Sequence, residues 1–166
     1  MKTIRLAGSD DLSIIRELAQ QIWPVAYGDI LAPSQLTYML DKFYSIDSLR
    51  QQLLDAHHRF ILISDVDRPV GFASYSCKKD HSHTCRVHKI YVLPEQQGKG
   101  TGKMLLAYII GDSKEMGANS LELNVNRHNK ARYFYEKQGF IVKKTEDIDI
   151  GAGYFMNDYV MELLFQ

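Results

Sequence analysis

The 166-residue sequence predicts a single α/β domain built on a mixed sheet. Three observations carry that reading. Strand-period and helix-period segments follow one another in the order β-α-α-β-β-β-α-β-α-β-β. No linker, repeat or low-complexity stretch interrupts them. One segment, "YVLPEQQGKGTGKMLLAYI" from Tyr91 to Ile109, passes from an apolar strand through three alternating glycines into a helix. A chain that is 45% hydrophobic at this length can bury a core of its own, so residues 1–166 read as one domain.

The elements follow in order. "KTIRLA" alternates and opens the chain as a short strand. "SDDLSIIRELAQQIW" carries Leu12, Ile15, Leu18, Ala19 and Ile22 at helical spacing, with Ser9 or Asp10 as cap and Pro24 as the stop or bend. The next stretch, to His58, reads as two shorter helices, one opened by Pro33 and one by Ser45 or Asp47. Residues 59–93 switch to period 2 and read as three antiparallel strands, with "VDRP" as a turn. After the glycines, Leu106, Ile109, Ile110 and Ser113 mark one helix face and Gly117 is placed to end it. "SLELNV" is a buried strand, "RHNKARYFYEKQ" a helix closed by Gly139, and "FIVKKTEDIDI" and "YFMNDYVMELLF" two last strands joined through "GAG".

Bulk properties exclude several classes. Twenty basic residues balance twenty acidic ones, which argues against a broad nucleic-acid surface. Two cysteines, Cys77 and Cys85, are too few for a disulfide framework. His81, His83 and Cys85 fall on one strand face near Cys77, but the spacing matches no zinc pattern, so no metal is expected. The N-terminus lacks the apolar core of a secretory signal, and no apolar run reaches the roughly 18 residues that suggest a membrane span. The expectation is a soluble cytoplasmic protein with no membrane or nucleic-acid partner.

The glycine segment asks for a phosphate. Glycine lets the backbone approach a ligand and adopt positive φ. A helix start offers free N–H groups and a positive dipole end. The alternative is a glycine-rich turn with no ligand. A Walker A loop fails, because Gln97 stands where its first glycine belongs and Met104 where its hydroxyl belongs. A Rossmann fingerprint fails too, because its third glycine would fall on Lys103. Gln97-Gly98-Lys99-Gly100-Thr101-Gly102 does match Q/R-x-x-G-x-G/A. With "NKARYFYEKQGF" downstream, the chain resembles the GCN5-related N-acetyltransferase (GNAT) superfamily over essentially its whole length. The resemblance rests on a strand–pyrophosphate loop–helix motif and a second helix motif, in the right order and at about the right distance.

That resemblance implies the family's fold, a mostly antiparallel sheet splayed at the cofactor site, with acetyl-CoA as donor and a small-molecule amine as acceptor. The physical needs point to the same residues. Gln97, Gly98, Lys99, Gly100, Thr101, Gly102 and Lys103 offer the pyrophosphate its N–H groups. Ile90, Tyr91 and Val92 present a strand edge to the amide-bearing pantetheine arm and N–H groups to the thioester carbonyl. By resemblance, Tyr135 is the acid that protonates the departing sulfur; the alternative is a core tyrosine beside Tyr133 and Phe134. Asn129 is a CoA contact or a plain cap, and Asn124 and Asn126 are weaker candidates on the neighbouring strand. His88 is the candidate base, because it titrates near neutrality and by period 2 shares a face with Ile90 and Val92. Its alternative is a histidine satisfied by packing.

For the acceptor, "IWPVAYGDILAPSQLTYMLDKFYS" and "DIGAGYFMNDYVMEL" resemble a bacterial spermidine/spermine acetyltransferase (PaiA-like) branch. That implies a polyamine, with Asp29, Asp41, Asp149 and Asp158 as cation contacts or as ordinary solvated surface. Trp23, Tyr27, Tyr38, Phe43 and Tyr44 belong to the core, some of them lining an acceptor cleft. A protein or aminoglycoside amine stays open as acceptor, as does a non-catalytic CoA-binding regulator on the same fold. Dimers are common in the resembling family, so a homodimer is a further expectation.

Overall fold

The computed structural model covers residues 1–166 and places seven strands in one sheet, in the order β1-β2-β3-β4-β5-β7-β6. The strands are β1 (Lys2–Ala7), β2 (Arg59–Asp65), β3 (Arg68–Cys77), β4 (Thr84–Val92), β5 (Ser120–Asn126), β6 (Ile141–Gly151) and β7 (Tyr154–Leu164). Every neighbouring pair is antiparallel except β4 and β5. The helices are α1 (Leu12–Tyr27), α2 (Pro33–Tyr44), α3 (Ile46–Leu54), α4 (Thr101–Glu115) and α5 (Ala131–Lys137). This is the mixed α/β architecture that the sequence predicts.

Three helices separate β1 from β2, as the reading of the individual segments has it, one more than the order β-α-α-β counts. A single extended residue, Ser45, divides α2 from α3, and its Oγ accepts from the Ser48 N–H at 3.2 Å. Helix α1 runs through Pro24 instead of stopping there. Pro24 removes the donor for the Gln20 carbonyl, but Gln20 is exposed and water can serve it. On either side of the proline, Trp23 and Tyr27 sit one turn apart with ring centroids 4.6 Å apart, both buried against Tyr91 of β4. That burial outweighs the lost hydrogen bond. Helix α5 starts at Ala131, later than the pattern suggests, with Asn129 Oδ1 accepting the Ala131 N–H at 2.9 Å.

The two faces of the sheet are covered by different helices. Phe72 packs on Tyr44 of α2, whereas Tyr75, of opposite pleat, donates its hydroxyl to Asp112 of α4 at 2.6 Å. Helices α1 to α3 therefore lie on one face and α4 on the other. Cys77 and Cys85 stand opposite each other in the β3–β4 ladder and are bonded to one another. No group of three or more His, Cys, Asp or Glu side chains could hold a metal.

Candidate active site

The site begins where β4 and β5 stop pairing. Their parallel ladder runs only from Thr84↔Ser120 to Val87↔Leu123, although β4 continues to Val92 and β5 to Asn126. The cause lies on the other side of β4. Ser74 pairs with Lys89 and Tyr75 with Val87, so His88 is an extra residue, a β-bulge. A bulge bends its strand, and here β4 leaves β5 with an open seam between them.

A cavity of about 550 Å³ fills the seam. Ile90, Tyr91 and Val92 line one wall, Asn124 the other, and Asn129 and Tyr135 the end towards α5. The glycine loop closes the mouth at the start of α4. Gly98 and Gly100 hold φ of +76° and +78°, and a Cβ built on either meets no atom within 4 Å. Bare backbone therefore faces open space at a helix N-terminus, the environment a pyrophosphate needs. Buried Thr101 donates to buried Gln96 at 2.7 Å, which fixes the loop from behind. Gln97, Gly102 and Lys103 line the cavity as expected, whereas Lys99 does not.

Tyr135 is 7% exposed, and burial raises its phenol above the ordinary tyrosine value, so it is protonated at neutral pH. Tyr27 and Tyr91 share a hydroxyl–hydroxyl hydrogen bond of 2.8 Å in the same cavity. Asn129 lines the cavity, and its Oδ1 holds the Ala131 N–H at the start of α5.

A second cavity of about 380 Å³ meets the first across β4, the two sharing Tyr27, Val87, His88, Lys89, Tyr91 and Asn124. Its walls are largely aromatic and aliphatic, with Trp23, Phe43, Tyr44 and Phe155 among them. Tyr38 lies outside and instead ties α2 to β6 by donating to the Ile150 carbonyl at 2.7 Å. Of the four acids considered as cation contacts, Asp158 alone lines the cavity. It is 4% exposed, burial raises its carboxyl above the usual range, and Asn124 Nδ2 donates to it at 3.2 Å. Asn126 lines the same cavity.

The bulge reverses the face expected for His88. Tyr75 and its partner Val87 face α4; Ser76, its partner Arg86 and His88 face the opposite way, with Ser76 Oγ 2.7 Å from His88 Nε2. His88 thus lies on the face of Lys89, away from Ile90 and Val92. Burial, then His58, Lys89 and Arg86, push its pKa down to about 3. The sequence reading also passed over Arg86, Lys89 and His58. Arg86 bonds to Glu122 at 2.9 Å and to Asn124. Lys89 was visible as a charged residue inside an alternating apolar strand.

A splayed strand pair with a glycine turn at one mouth, a buried tyrosine at the far end and an adjoining aromatic cavity has the shape to take an extended, phosphate-bearing donor along the seam and an acceptor beside it. A family model described as the GNAT acetyltransferase domain matches residues 29–163, and the chain belongs to that family of acetyl-CoA-dependent N-acetyltransferases. An uncharacterized N-acetyltransferase of Mycobacterium tuberculosis is 27% identical over 94% of this chain and 97% of its own. A spermidine N(1)-acetyltransferase of Thermoplasma acidophilum is 25% identical over 88% of this chain and 92% of its own. The structure of the PaiA N-acetyltransferase of Thermoplasma acidophilum, in complex with coenzyme A, superposes with a TM-score of 0.83 at 24% identity, covering 99% of both chains.

Proposed function

We propose that residues 1–166 act as one cytoplasmic N-acetyltransferase domain that moves the acetyl group of acetyl-CoA to a small primary amine seated in the second cavity. The meeting of the two cavities at the bulged strand carries this reading. The N–H groups from Gly98 to Lys103 hold the pyrophosphate. The free edge of Ile90–Val92 pairs with the amide-bearing arm and points N–H groups at the thioester oxygen. Asp158 receives the ammonium and takes its first proton, and the neutral amine attacks the carbonyl carbon. Tyr135 donates its proton to the leaving sulfur, and the second amine proton restores the phenol, so the products are the N-acetyl amine and the CoA thiol.

Asp158 serves as proton acceptor better than His88. Burial raises the Asp158 carboxyl, which makes it a better proton acceptor than an ordinary aspartate, whereas an imidazole lowered to about 3 holds a proton poorly. Spermidine is the substrate named for the Thermoplasma relative, and a polyamine is what the sequence suggests. The cavity offers one acid, Asp158, beside Arg86 and Lys89, so a small amine with one ammonium fits better than a polycation.

Thiol release from acetyl-CoA over a panel of amines tests the reading. Amine-dependent release is the expected result. Binding of acetyl-CoA with no release for any amine would favour a regulator that binds CoA without turning it over.

A further inference from the structure

Lys89 is a buried cation without a carboxylate partner. Its residue is 9% exposed, and its ammonium makes a single hydrogen bond, to Gln52 Oε1 at 2.5 Å. The rings of Tyr44 and Phe60 lie 5.3 and 5.9 Å from the nitrogen. An ammonium has three donors, so two remain unmatched by the protein. Gln52, His58, Tyr44 and Lys89 together wall one part of the second cavity. His58 Nδ1 there is buried and has no hydrogen-bond partner. A buried charge and an unpaired polar atom are each costly, and an anion placed between them would relieve both. Asp158 lines the same cavity on β7.

We propose that Lys89 seats a carboxylate of the acceptor, so that the substrate is an amine that also bears an acid, with its ammonium at Asp158 and its carboxylate at Lys89 and His58. This rests on the acetyl-transfer reading above. The single free cation selects a monoanion. A phosphate dianion would need a second one, and Arg86 is already engaged by Glu122 and Asn124. At neutral pH Lys89 is still largely charged, since burial lowers it to about 8. The aromatic and aliphatic walls then hold the body that joins the two charged groups.

The test compares matched acceptors in the thiol-release assay: L-phenylalanine with phenethylamine, L-leucine with isoamylamine, γ-aminobutyrate with butylamine, and spermidine alongside. The seat predicts that for at least one pair the acid-bearing member has a kcat/KM higher by roughly tenfold or more, the size of a charge-assisted hydrogen bond. Lys89→Met keeps the apolar stem and should collapse that ratio through KM. A wild-type enzyme that uses the plain amines or spermidine as well as or better than the acids would overturn the seat. So would a Lys89→Met enzyme that loses both members of a pair by the same factor. Calorimetry of the same pairs against the CoA-loaded protein separates the two claims. Lys89-dependent binding of the acids with no turnover would keep the seat and remove the transferase reading. Turnover indifferent to the carboxylate would do the reverse, and binding indifferent to it would remove the seat.

Discussion

The His88 ring lies flat on the His58 ring, with centroids 3.7 Å apart and planes 4° from parallel. Two imidazolium ions would not rest this way, and the surroundings keep both rings neutral. Burial lowers His58 to about 4 and His88 to about 3, with the Lys89 charge adding to each. The pair forms an uncharged part of the wall of the second cavity, and Ser76 engages the His88 nitrogen.

The pH profile follows from that stack. On the proposed reading the acid limb of kcat/KM is that of Asp158, whose raised pKa moves the fall in activity to a higher pH than an unperturbed aspartate would give. His88→Ala should leave the limb in place. Asp158→Asn should abolish it and cost roughly 10²-fold or more in rate, the usual scale for a lost general base. A limb that disappears in His88→Ala would move the base to the imidazole.

Lys89 should cost stability as it serves binding. Its folded pKa of about 8 lies below the usual 10.5, so the folded state disfavours the proton. The penalty is complete below about pH 8 and fades as pH rises to 10.5, where the unfolded chain also loses the charge. Lys89→Met should therefore stabilise the protein at pH 7 by up to about 3 kcal/mol, with a gain that shrinks on raising the pH. Thermal unfolding of both proteins across that range reads it, and a destabilised Lys89→Met at neutral pH would contradict it.

Gly100 tests the cradle. It caps α4 at φ +78°, where a β-branched side chain is strained, and a Cβ there points into open space rather than into protein. Gly100→Val should weaken acetyl-CoA binding by about tenfold or more, or about 1.4 kcal/mol. Unchanged affinity by calorimetry would remove the loop from the binding site.

What the sequence made legible was local. The glycine turn into α4, the Ser45 cap, the strands within 59–93 and the helix that carries Tyr135 each follow from residues close in the chain, and the structure has them there. What it hid depends on pairing between distant strands. Period 2 assigns His88 to the face of Ile90, but the Ser74↔Lys89 and Tyr75↔Val87 register inserts a bulge that no window on β4 alone contains. Asp158 resembled three other surface acids until β7 paired with β5 and placed it beside Asn124. Pro24 looked like a stop or a bend because the aromatic contacts of Trp23 and Tyr27 with Tyr91 are far away in sequence.

The most direct test is Tyr135→Phe, measured at the chemical step. Phenylalanine keeps the ring packed on Phe134 and Phe140 and removes only the hydroxyl that would donate the proton. A tyrosine phenol titrates near 10 when unperturbed, and burial raises this one further, so it stands ready as a donor. The account predicts a kcat lower by roughly 10²-fold or more, with acetyl-CoA affinity little changed, because the lost interaction acts on the transition state. A folded Tyr135→Phe enzyme that turns over at the full wild-type rate would contradict it.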